Sequence, residues 1–277
     1  MRFLRRLTLV LALSYIGICA LMFFVQRSLQ YHPDASPMNP LLVSLPRAAS
    51  ETVTTSDGEK IIMWWIAPRD VNGVLASNAP VYLYFHGNGA NLHARAARFA
   101  KLTESGAGLL AVSWRGYGGS SGSPTEAGLR LDARAAYDAL VNTKRVNANR
   151  IVMFGESLGT TVATILAAEV PSAALALDSS FDSALDVAQR AYPWLPVRYL
   201  LLDTYRADLA APNVRVPVQQ FHCSDDFVTP LASAQALHAR FANARKLYVI
   251  EGRCHVPEVA RFSGALNSFI VEALKVP

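Results

Sequence analysis

Cysteine is scarce in this sequence. Only three of the 277 residues are cysteines, at positions 19, 223 and 254, and they form no CxxC pair. A structural zinc site needs clustered thiolate or imidazole ligands, so this spacing excludes a zinc-stabilised fold and predicts no metal centre.

Acidic residues are absent from the first 27 positions, which contain four arginines. The rest of the chain holds 22 basic and 21 acidic residues, so most of the formal charge of +5 belongs to the N-terminal segment. A nearly neutral globular part without a basic stripe excludes a nucleic-acid partner.

A charge-free apolar run covers residues 7–25 and follows Arg2, Arg5 and Arg6. As a helix, its 19 residues would span about 28 Å, close to the roughly 30 Å hydrocarbon core of a bilayer. We predict a membrane anchor over residues 1–27, with a cleaved signal peptide as the alternative, although signal peptides have shorter apolar regions. The arginines would keep the N-terminus cytoplasmic and place the globular domain on the far side, periplasmic or extracytoplasmic. Secretion after cleavage is the alternative.

Residues 28–50 form a polar segment with four prolines, which predicts a neck between the anchor and a domain at 51–277. Two β-type runs around Asp57 and Gly58 predict an antiparallel hairpin at the start of that domain. The order of elements breaks at about 180–212, where we predict a short cap insertion.

Short apolar runs alternate with helical patterns in most of the domain. The runs lie at 81–85, 109–113, 151–154, 174–177, 218–221 and 247–250. The helical patterns lie at 92–105, 125–142, 158–169, 232–241 and 257–274. This alternation predicts an α/β fold whose mostly parallel sheet is flanked by helices on both faces.

One serine follows the run 151–154 and stands between Gly155 and Gly159. A sharp turn from strand to helix would expose the hydroxyl of Ser157, and the glycines would remove side chains that collide there. Ser120 lies in a second G-x-S-x-G match, but no helical pattern begins at that serine. We therefore predict Ser157 as a nucleophile and interpret Ser120 as a loop residue.

A serine nucleophile needs a base, and the base needs a carboxylate that orients it. His255 lies just beyond the last predicted strand, and Asp226 follows the strand before it. These two residues are the predicted base and acid. Asp225 and, more remotely, Asp178 are alternatives for the acid.

These residues carry a family resemblance. The motif 155–159, Asp226 and His255 occur in the order Ser, Asp, His, after His-Gly-Asn-Gly at 86–89. This pattern resembles the α/β-hydrolase superfamily, in particular its branch of small, membrane-anchored serine hydrolases, some of which remove acyl chains from lipidated proteins. The resemblance implies an eight-stranded, mostly parallel sheet, with the nucleophile after the fifth strand, the acid after the seventh and the base after the eighth.

The resemblance also implies an oxyanion hole made by the backbone amides of Asn88 and Leu158. The family's usual pattern near the acid is H-G-x-x-D-x-x-V-P, which maps the aspartate onto Asp226. This chain departs from the pattern at two positions, with Cys223 in place of the glycine and Thr229 in place of the valine.

Cys223 follows the strand that leads to the acid and Cys254 directly precedes the predicted base, so in such a fold the loops at the ends of two neighbouring strands could bring their sulfurs within bridging range. Two independent small apolar side chains are the preferred interpretation. A disulfide in an oxidising compartment is the alternative, and a Cα separation well beyond about 7 Å would exclude it.

The chemistry predicted from this pattern is hydrolysis of a carboxylic ester through an acyl-enzyme, which requires neither a metal nor an organic cofactor. The aromatic and leucine-rich segment 192–205 favours a lipophilic acyl group, such as that of a lipid, with Trp194, Leu195 and Tyr199 as candidate substrate contacts. The alternative is that this segment only packs as a cap. A thioesterase or peptidase of the same fold, and a non-catalytic membrane-tethered binding protein, remain alternative functions.

Overall fold

The computed structural model describes residues 1–70 and 72–274, and a mixed sheet of eight strands forms its centre. The strands in chain order are β1 (Ala48–Thr54), β2 (Lys60–Ile66), β3 (Val81–Phe85), β4 (Gly108–Val112), β5 (Ile151–Glu156), β6 (Ala174–Asp178), β7 (Val218–Cys223) and β8 (Tyr248–Ile250). Their spatial order is β8-β7-β6-β5-β3-β4-β2-β1. The pairs from β8 through β4 are parallel, and β2 is antiparallel to both β4 and β1. The predicted eight-stranded, mostly parallel sheet is confirmed.

The central strands are buried along their whole length. Every residue of β3, β4, β5, β6 and β7 is buried, as expected for strands covered on both faces. Strand β7 contains two glutamines, and their amides are satisfied inside the protein: Gln219 donates to the carbonyl of Lys246 at 3.0 Å, and Gln220 donates to the hydroxyl of Ser180 at 2.9 Å. The polar interruption therefore does not end the strand.

Helices cover both faces of the sheet. They are α1 (Arg2–Gln30), α2 (Ala96–Thr103), α3 (Glu126–Asp138), α4 (Leu158–Glu169), α5 (Ala184–Ala191), α6 (Val197–Leu200), α7 (Ala207–Ala210), α8 (Leu231–His238) and α9 (Ser263–Leu274). Alternate residues of β3 point to opposite cores: Leu83 packs with residues of α3 and α4, whereas Tyr84 packs with residues of α2 and α9. The strands are thereby fixed between two hydrophobic layers.

Four helices differ from the predicted bounds, and one of them is α8, which covers Leu231–His238 instead of 232–241. The predicted helix 92–105 divides into a 3-10 turn, Leu92–Arg95, followed by α2, and α3 continues as a π-helix, Ala139–Thr143. The predicted helix 257–274 begins only at Ser263. A 3-10 turn, Val259–Arg261, lies between α9 and Pro257, whose carbonyl accepts a hydrogen bond from Arg98 at 2.5 Å.

Helix α1 extends beyond the predicted anchor and reaches Gln30. It contains an 18-residue window of mean hydropathy 2.4 in which no residue is buried; its length and composition suit a membrane span or a signal sequence. The segment after it is not wholly irregular, because His32–Pro33 pairs in parallel with Gly89–Ala90, and β1 begins inside the predicted neck. Helices α5, α6 and α7 occupy the region of the predicted cap. Residues 275–277 of the predicted domain lie outside the described residues, as does position 71.

Candidate active site

Ser157 occupies the turn between β5 and α4. Its backbone has φ 49° and ψ −119°, a strained conformation for a residue with a side chain. A Cβ atom at Gly159 would lie 2.1 Å from the carbonyl oxygen of Phe85, and one at Gly155 would lie 2.5 Å from the Cα of Thr160. The two glycines therefore allow the strand and the helix to approach closely around the serine.

The structure brings the serine, the histidine and one aspartate together. The Oγ of Ser157 lies 2.9 Å from Nε2 of His255. On the other side of the ring, Nδ1 of His255 lies 2.8 Å from Oδ2 of Asp226 and 3.1 Å from Oδ1. The three side chains, from the ends of β5, β7 and β8, form one continuous hydrogen-bonded series.

The carboxylate of Asp226 is held by several donors. Its Oδ1 accepts hydrogen bonds from the backbone N–H groups of Val228 at 2.8 Å and Thr229 at 2.9 Å. Burial raises the pKa of Asp226, but the hydrogen bonds from His255 and these amides outweigh burial and lower the pKa. Thr229 also donates its hydroxyl to Oδ2 at 3.2 Å, so the departure from the family's valine adds a contact to the acid.

The alternative residues lie outside this arrangement. Asp225 is exposed, next to the buried Asp226. Asp178 is fully buried and forms an ion pair with Arg98 at 2.6 Å. Ser120 is buried and donates its hydroxyl to the carbonyl of Ser113 at 2.9 Å. None of these three side chains belongs to the hydrogen-bonded series from Ser157 to Asp226.

The loop after β3 lies beside Ser157. A Cβ atom at Gly87 would lie 3.2 Å from the Cβ of Ser157. Asn88, the next residue, is fixed by the end of α1 and the segment after it: its side chain donates to the carbonyl of Gln30, and its carbonyl accepts from the backbone N–H of His32, both at 2.9 Å. Leu158 is the first residue of α4, where helix N–H groups have no intrahelical acceptor. Both predicted oxyanion residues therefore adjoin the serine.

A buried charged cluster supports this loop, and the sequence analysis did not identify it. Oε1 of Glu156 accepts hydrogen bonds from Arg95 at 2.7 Å and from the backbone N–H of Gly87 at 3.3 Å, and Arg95 donates to the carbonyl of Gly89 at 2.8 Å. Burial raises the pKa of Glu156, but Arg95 and Arg98 outweigh it and lower the pKa to about 2. The sequence contained a signal for this cluster, because Glu156 lies inside the serine motif and Arg95 and Arg98 lie in the helical pattern 92–105.

Two further histidines follow strands near the site. His86 is fully buried, its Nδ1 lies 2.7 Å from the carbonyl oxygen of Gly87, and burial lowers its pKa to about 3. Nε2 of His222 lies 2.9 Å from the carbonyl oxygen of Thr229, and burial lowers its pKa as well. Both rings hydrogen-bond to carbonyl groups of loops that carry site residues, so they support these loops.

An apolar cavity of about 270 Å³ opens beside Ser157. Leu195 is among the side chains that line it, together with Phe181 and Val187. Two of the three candidate substrate contacts do not line it: the side chains of Trp194 and Tyr199 are turned outward and are 55% and 79% exposed. The composition of the cap indicated apolar contacts but not the direction of each side chain.

A second cavity of about 750 Å³ adjoins Ser157 and His255 on the side of the charged cluster. Its wall includes Arg95, Lys101 and Glu258, so it is markedly more polar than the first. Within residues 1–70 and 72–274, no group of three or more His, Cys, Asp or Glu side chains is arranged to hold a metal ion. The serine therefore lies between an apolar and a polar cavity.

Cys223 and Cys254 form a disulfide, with their Cα atoms 5.7 Å apart. The preferred interpretation of two independent side chains does not hold in this structure. Because Ile250 pairs with Cys223 across β7 and β8, the chain after β8 begins beside the cysteine. The bond joins the end of the strand before Asp226 to the residue before His255.

Comparisons with known proteins show which protein family the chain matches. Residues 80–224 match the family described as alpha/beta hydrolase fold. An uncharacterized protein of Mycobacterium tuberculosis is 36% identical over 246 residues, which cover 89% of this chain and 86% of that protein.

Solved structures of other proteins are similar to this structure, at lower sequence identity. The Pyrococcus furiosus esterase Pf2001 is 22% identical with a TM-score of 0.68, over 88% of this chain and 98% of that chain. A puromycin-hydrolyzing peptidase of Mycobacterium tuberculosis is 16% identical with a TM-score of 0.65, over 84% of this chain and 40% of that chain. At these identities the likeness shows a shared fold.

Proposed function

The chain belongs to the α/β hydrolase family, and on that premise we propose that it is a serine hydrolase that cleaves a carboxylic ester through an acyl-enzyme on Ser157. The observation that carries this proposal is the series of hydrogen bonds from the Oγ of Ser157 through His255 to Asp226. A nucleophile, a base within reach of its proton and a carboxylate that orients the base are the groups that acyl transfer requires.

In the first half of the proposed reaction, Oγ of Ser157 attacks the acyl carbonyl carbon and transfers its proton to Nε2 of His255. The ionised Asp226 accepts the hydrogen bond from Nδ1–H and stabilises the imidazolium. The backbone amides of Asn88 and Leu158 would bind the negative oxygen of the tetrahedral intermediate. When the carbon–oxygen bond breaks, His255 returns the proton to the departing alcohol.

In the second half, water replaces the alcohol. His255 removes a proton from the water as its oxygen attacks the acyl carbon, and the same oxyanion donors bind the second intermediate. The bond to Oγ then breaks, the proton returns to Ser157 and the carboxylic acid leaves. Every proton transfer uses Nε2, which already faces the serine in this structure.

The two cavities support a lipophilic acyl group and a polar leaving group. The apolar cavity would take the acyl chain, because burying each methylene group contributes about 0.8 kcal/mol to binding. The polar cavity would take the alcohol. A thioester or peptide would use the same three residues, and parallel assays with a thioester and an amide of the same acyl group separate these alternatives.

Labelling with a fluorophosphonate tests the nucleophile. The full chain should be labelled, and Ser157→Ala should abolish the labelling because the probe forms a bond with the activated hydroxyl. Ser120→Ala, at the second G-x-S-x-G match, is the matched control and should remain labelled. Unchanged labelling of Ser157→Ala would reject the nucleophile, and a folded wild-type chain that takes up no probe would favour the binding-protein alternative.

A further inference from the structure

The wall of the apolar cavity includes part of the N-terminal helix. Four residues of α1 line the cavity: Met22, Gln26, Leu29 and Gln30. At about 100° per residue, these positions fall within an arc of roughly 100° on one side of the helix. The same cavity is lined by Ser157, so one face of α1 and the serine border the same space.

Polar contacts fix this end of α1 against the cap. The amide of Gln26 donates to the carbonyl of Leu200 at 3.1 Å and accepts from the backbone N–H of Leu202 at 2.7 Å. Gln30 donates to the carbonyl of Asp203 at 3.0 Å, and Arg27 forms an ion pair with the Asp203 carboxylate at 2.9 Å. Because Gln26 and Asp203 are both buried, these bonds are sheltered from water and hold the helix in register with the cavity.

We propose that α1 is a specificity element of the active site, with Met22 and Leu29 contacting the acyl chain of the substrate and limiting its length. This inference rests on the proposed function and assigns its substrate class as medium- or long-chain acyl esters. The cavity of about 270 Å³ is lined mainly by apolar side chains, so a chain of several methylene groups would be favourably buried in it.

The position of Met22 gives this proposal a consequence for how the substrate reaches the serine. Met22 lies within the apolar run 7–25, and the run's exposed side chains are suited to lipid. If α1 crosses a bilayer, the acyl-binding wall begins at the end of the membrane-spanning segment. An acyl chain would then pass from lipid into a cavity formed partly by the anchor itself, without crossing water.

The test uses the full chain in detergent and compares kcat/KM for p-nitrophenyl dodecanoate with that for p-nitrophenyl acetate. Met22→Trp should lower the dodecanoate-to-acetate ratio at least tenfold, because each methylene excluded from an apolar site costs about a factor of four. Met22→Ala should move the preferred chain length upward in a series from acetate to hexadecanoate. A thermal unfolding curve of each variant confirms that it is folded.

Phe24→Trp is the matched control. Phe24 lies about 160° from Met22 around the same helix and is 82% exposed, so the ester ratio of this variant should equal that of the wild type. Hydrolysis of acetate with an unchanged ratio in Met22→Trp would overturn the role of α1 and leave the serine hydrolase intact. Failure of the wild type to hydrolyse any ester in the series would overturn the proposed function, and this inference with it.

Discussion

At the scale of single residues, the environment of the acid decides between two neighbouring aspartates. Both Asp225 and Asp226 follow the same strand, and the sequence pattern left either as a candidate. The structure separates them, because Asp226 is buried against His255 and the amides of Val228 and Thr229, whereas Asp225 is exposed. Adjacent side chains point in different directions, and the positions of the two aspartates in the sequence do not show which carboxylate faces His255.

This difference gives the first prediction. Asp226→Asn should lower kcat for a p-nitrophenyl ester on the order of 10³- to 10⁴-fold, because the amide favours the wrong imidazole tautomer and cannot stabilise the imidazolium. Asp225→Asn changes the same chemical group one position away and should stay within twofold of the wild type. A larger loss in Asp225→Asn than in Asp226→Asn would contradict the assignment of the acid.

At the scale of elements, the parts of the fold that follow a repeating pattern were the ones that the sequence could predict. Most central strands are continuously apolar and helical patterns lie between most of them, so the sequence predicted both the sheet and the place of Ser157 at the end of β5. Capping of α3 by Thr125, whose side chain accepts from Gly128 N–H at 3.0 Å, also occurs where the predicted helix began. The late start of α9 was not predicted, because the helical pattern from 257 onward did not distinguish the 3-10 turn Val259–Arg261 from the α-helix that follows it.

The contacts of the cap and of α1 were likewise beyond the sequence. Leu195 faces the cavity while Trp194, its neighbour, is turned outward, and composition does not distinguish them. Met22 reaches the same cavity from a helix whose apolar character was already explained by a membrane. An apolar residue such as Met22 gives the same sequence signal whether it contacts lipid, the cavity or both. Its contact with the cavity is therefore visible only in the structure.

The disulfide joins two elements of the site and gives the second prediction. The bond spans a sequence separation of 31 residues between Cys223 and Cys254, and closing a loop of that size contributes about 3 to 4 kcal/mol to the free energy of unfolding. Urea unfolding with and without a reductant should show a loss of this order, and Cys223→Ala should lose the sensitivity to reductant.

Cys19→Ala is the control for that experiment, because Cys19 is the free cysteine among the described residues. This variant should keep the stability and the reductant sensitivity of the wild type. Alkylation of the unreduced, denatured chain should modify one thiol. Modification of all three cysteines would show that the bond does not form in the protein as prepared.

At the scale of the whole molecule, the buried charged cluster links the helix before β4 to the serine turn. Glu156 has a pKa of about 2 in the folded protein, below its ordinary value of 4.5, because Arg95 and Arg98 outweigh the effect of burial. The carboxylate therefore stabilises the fold fully above pH 4.5, and this contribution is lost as the pH falls through about 2. The difference between the two pKa values corresponds to about 3 kcal/mol.

The third prediction follows from this cluster. Glu156→Gln should lower the free energy of unfolding at pH 7 by about 3 to 5 kcal/mol, since it leaves buried arginine charge without its partner. The variant should also lose the part of the wild-type decline in stability between pH 4.5 and 2 that Glu156 provides. Urea unfolding across this pH range measures both effects.

Glu104→Gln provides the comparison for that variant. Glu104 pairs with Lys101 at 2.6 Å on the surface, with its side chain 54% exposed, and such pairs contribute about 1 kcal/mol or less. Its stability should therefore remain close to that of the wild type over the same pH range. Equal losses in the two variants would show that burial of the cluster does not have the energetic importance assigned to it.

The last prediction concerns the position of the molecule relative to a membrane. We propose that α1 is retained as a single-pass anchor, because Gln26, Arg27 and Gln30 are joined to the cap by polar contacts that cleavage of the apolar segment would remove or disrupt. The arginines before the apolar run would keep the N-terminus in the cytoplasm. Disulfides form and persist mainly in oxidising compartments, so the bond between Cys223 and Cys254 favours the proposal that the domain lies on the far side of the membrane.

Two measurements check this topology. The intact mass of the protein purified from membranes should equal that of the full chain, and the protein should remain in the membrane after extraction with alkaline carbonate. Cells are treated so that protease reaches the far side of the membrane but does not enter the cytoplasm. The protease should then digest the hydrolase domain, whereas a cytoplasmic marker protein should survive. A soluble product lacking the first 27 residues would instead identify a signal peptide, and Met22 and Gln26 would then be absent from the cavity of the mature protein. Retention and acyl selectivity by α1 are thus coupled, because a helix that leaves the protein cannot form part of its active site.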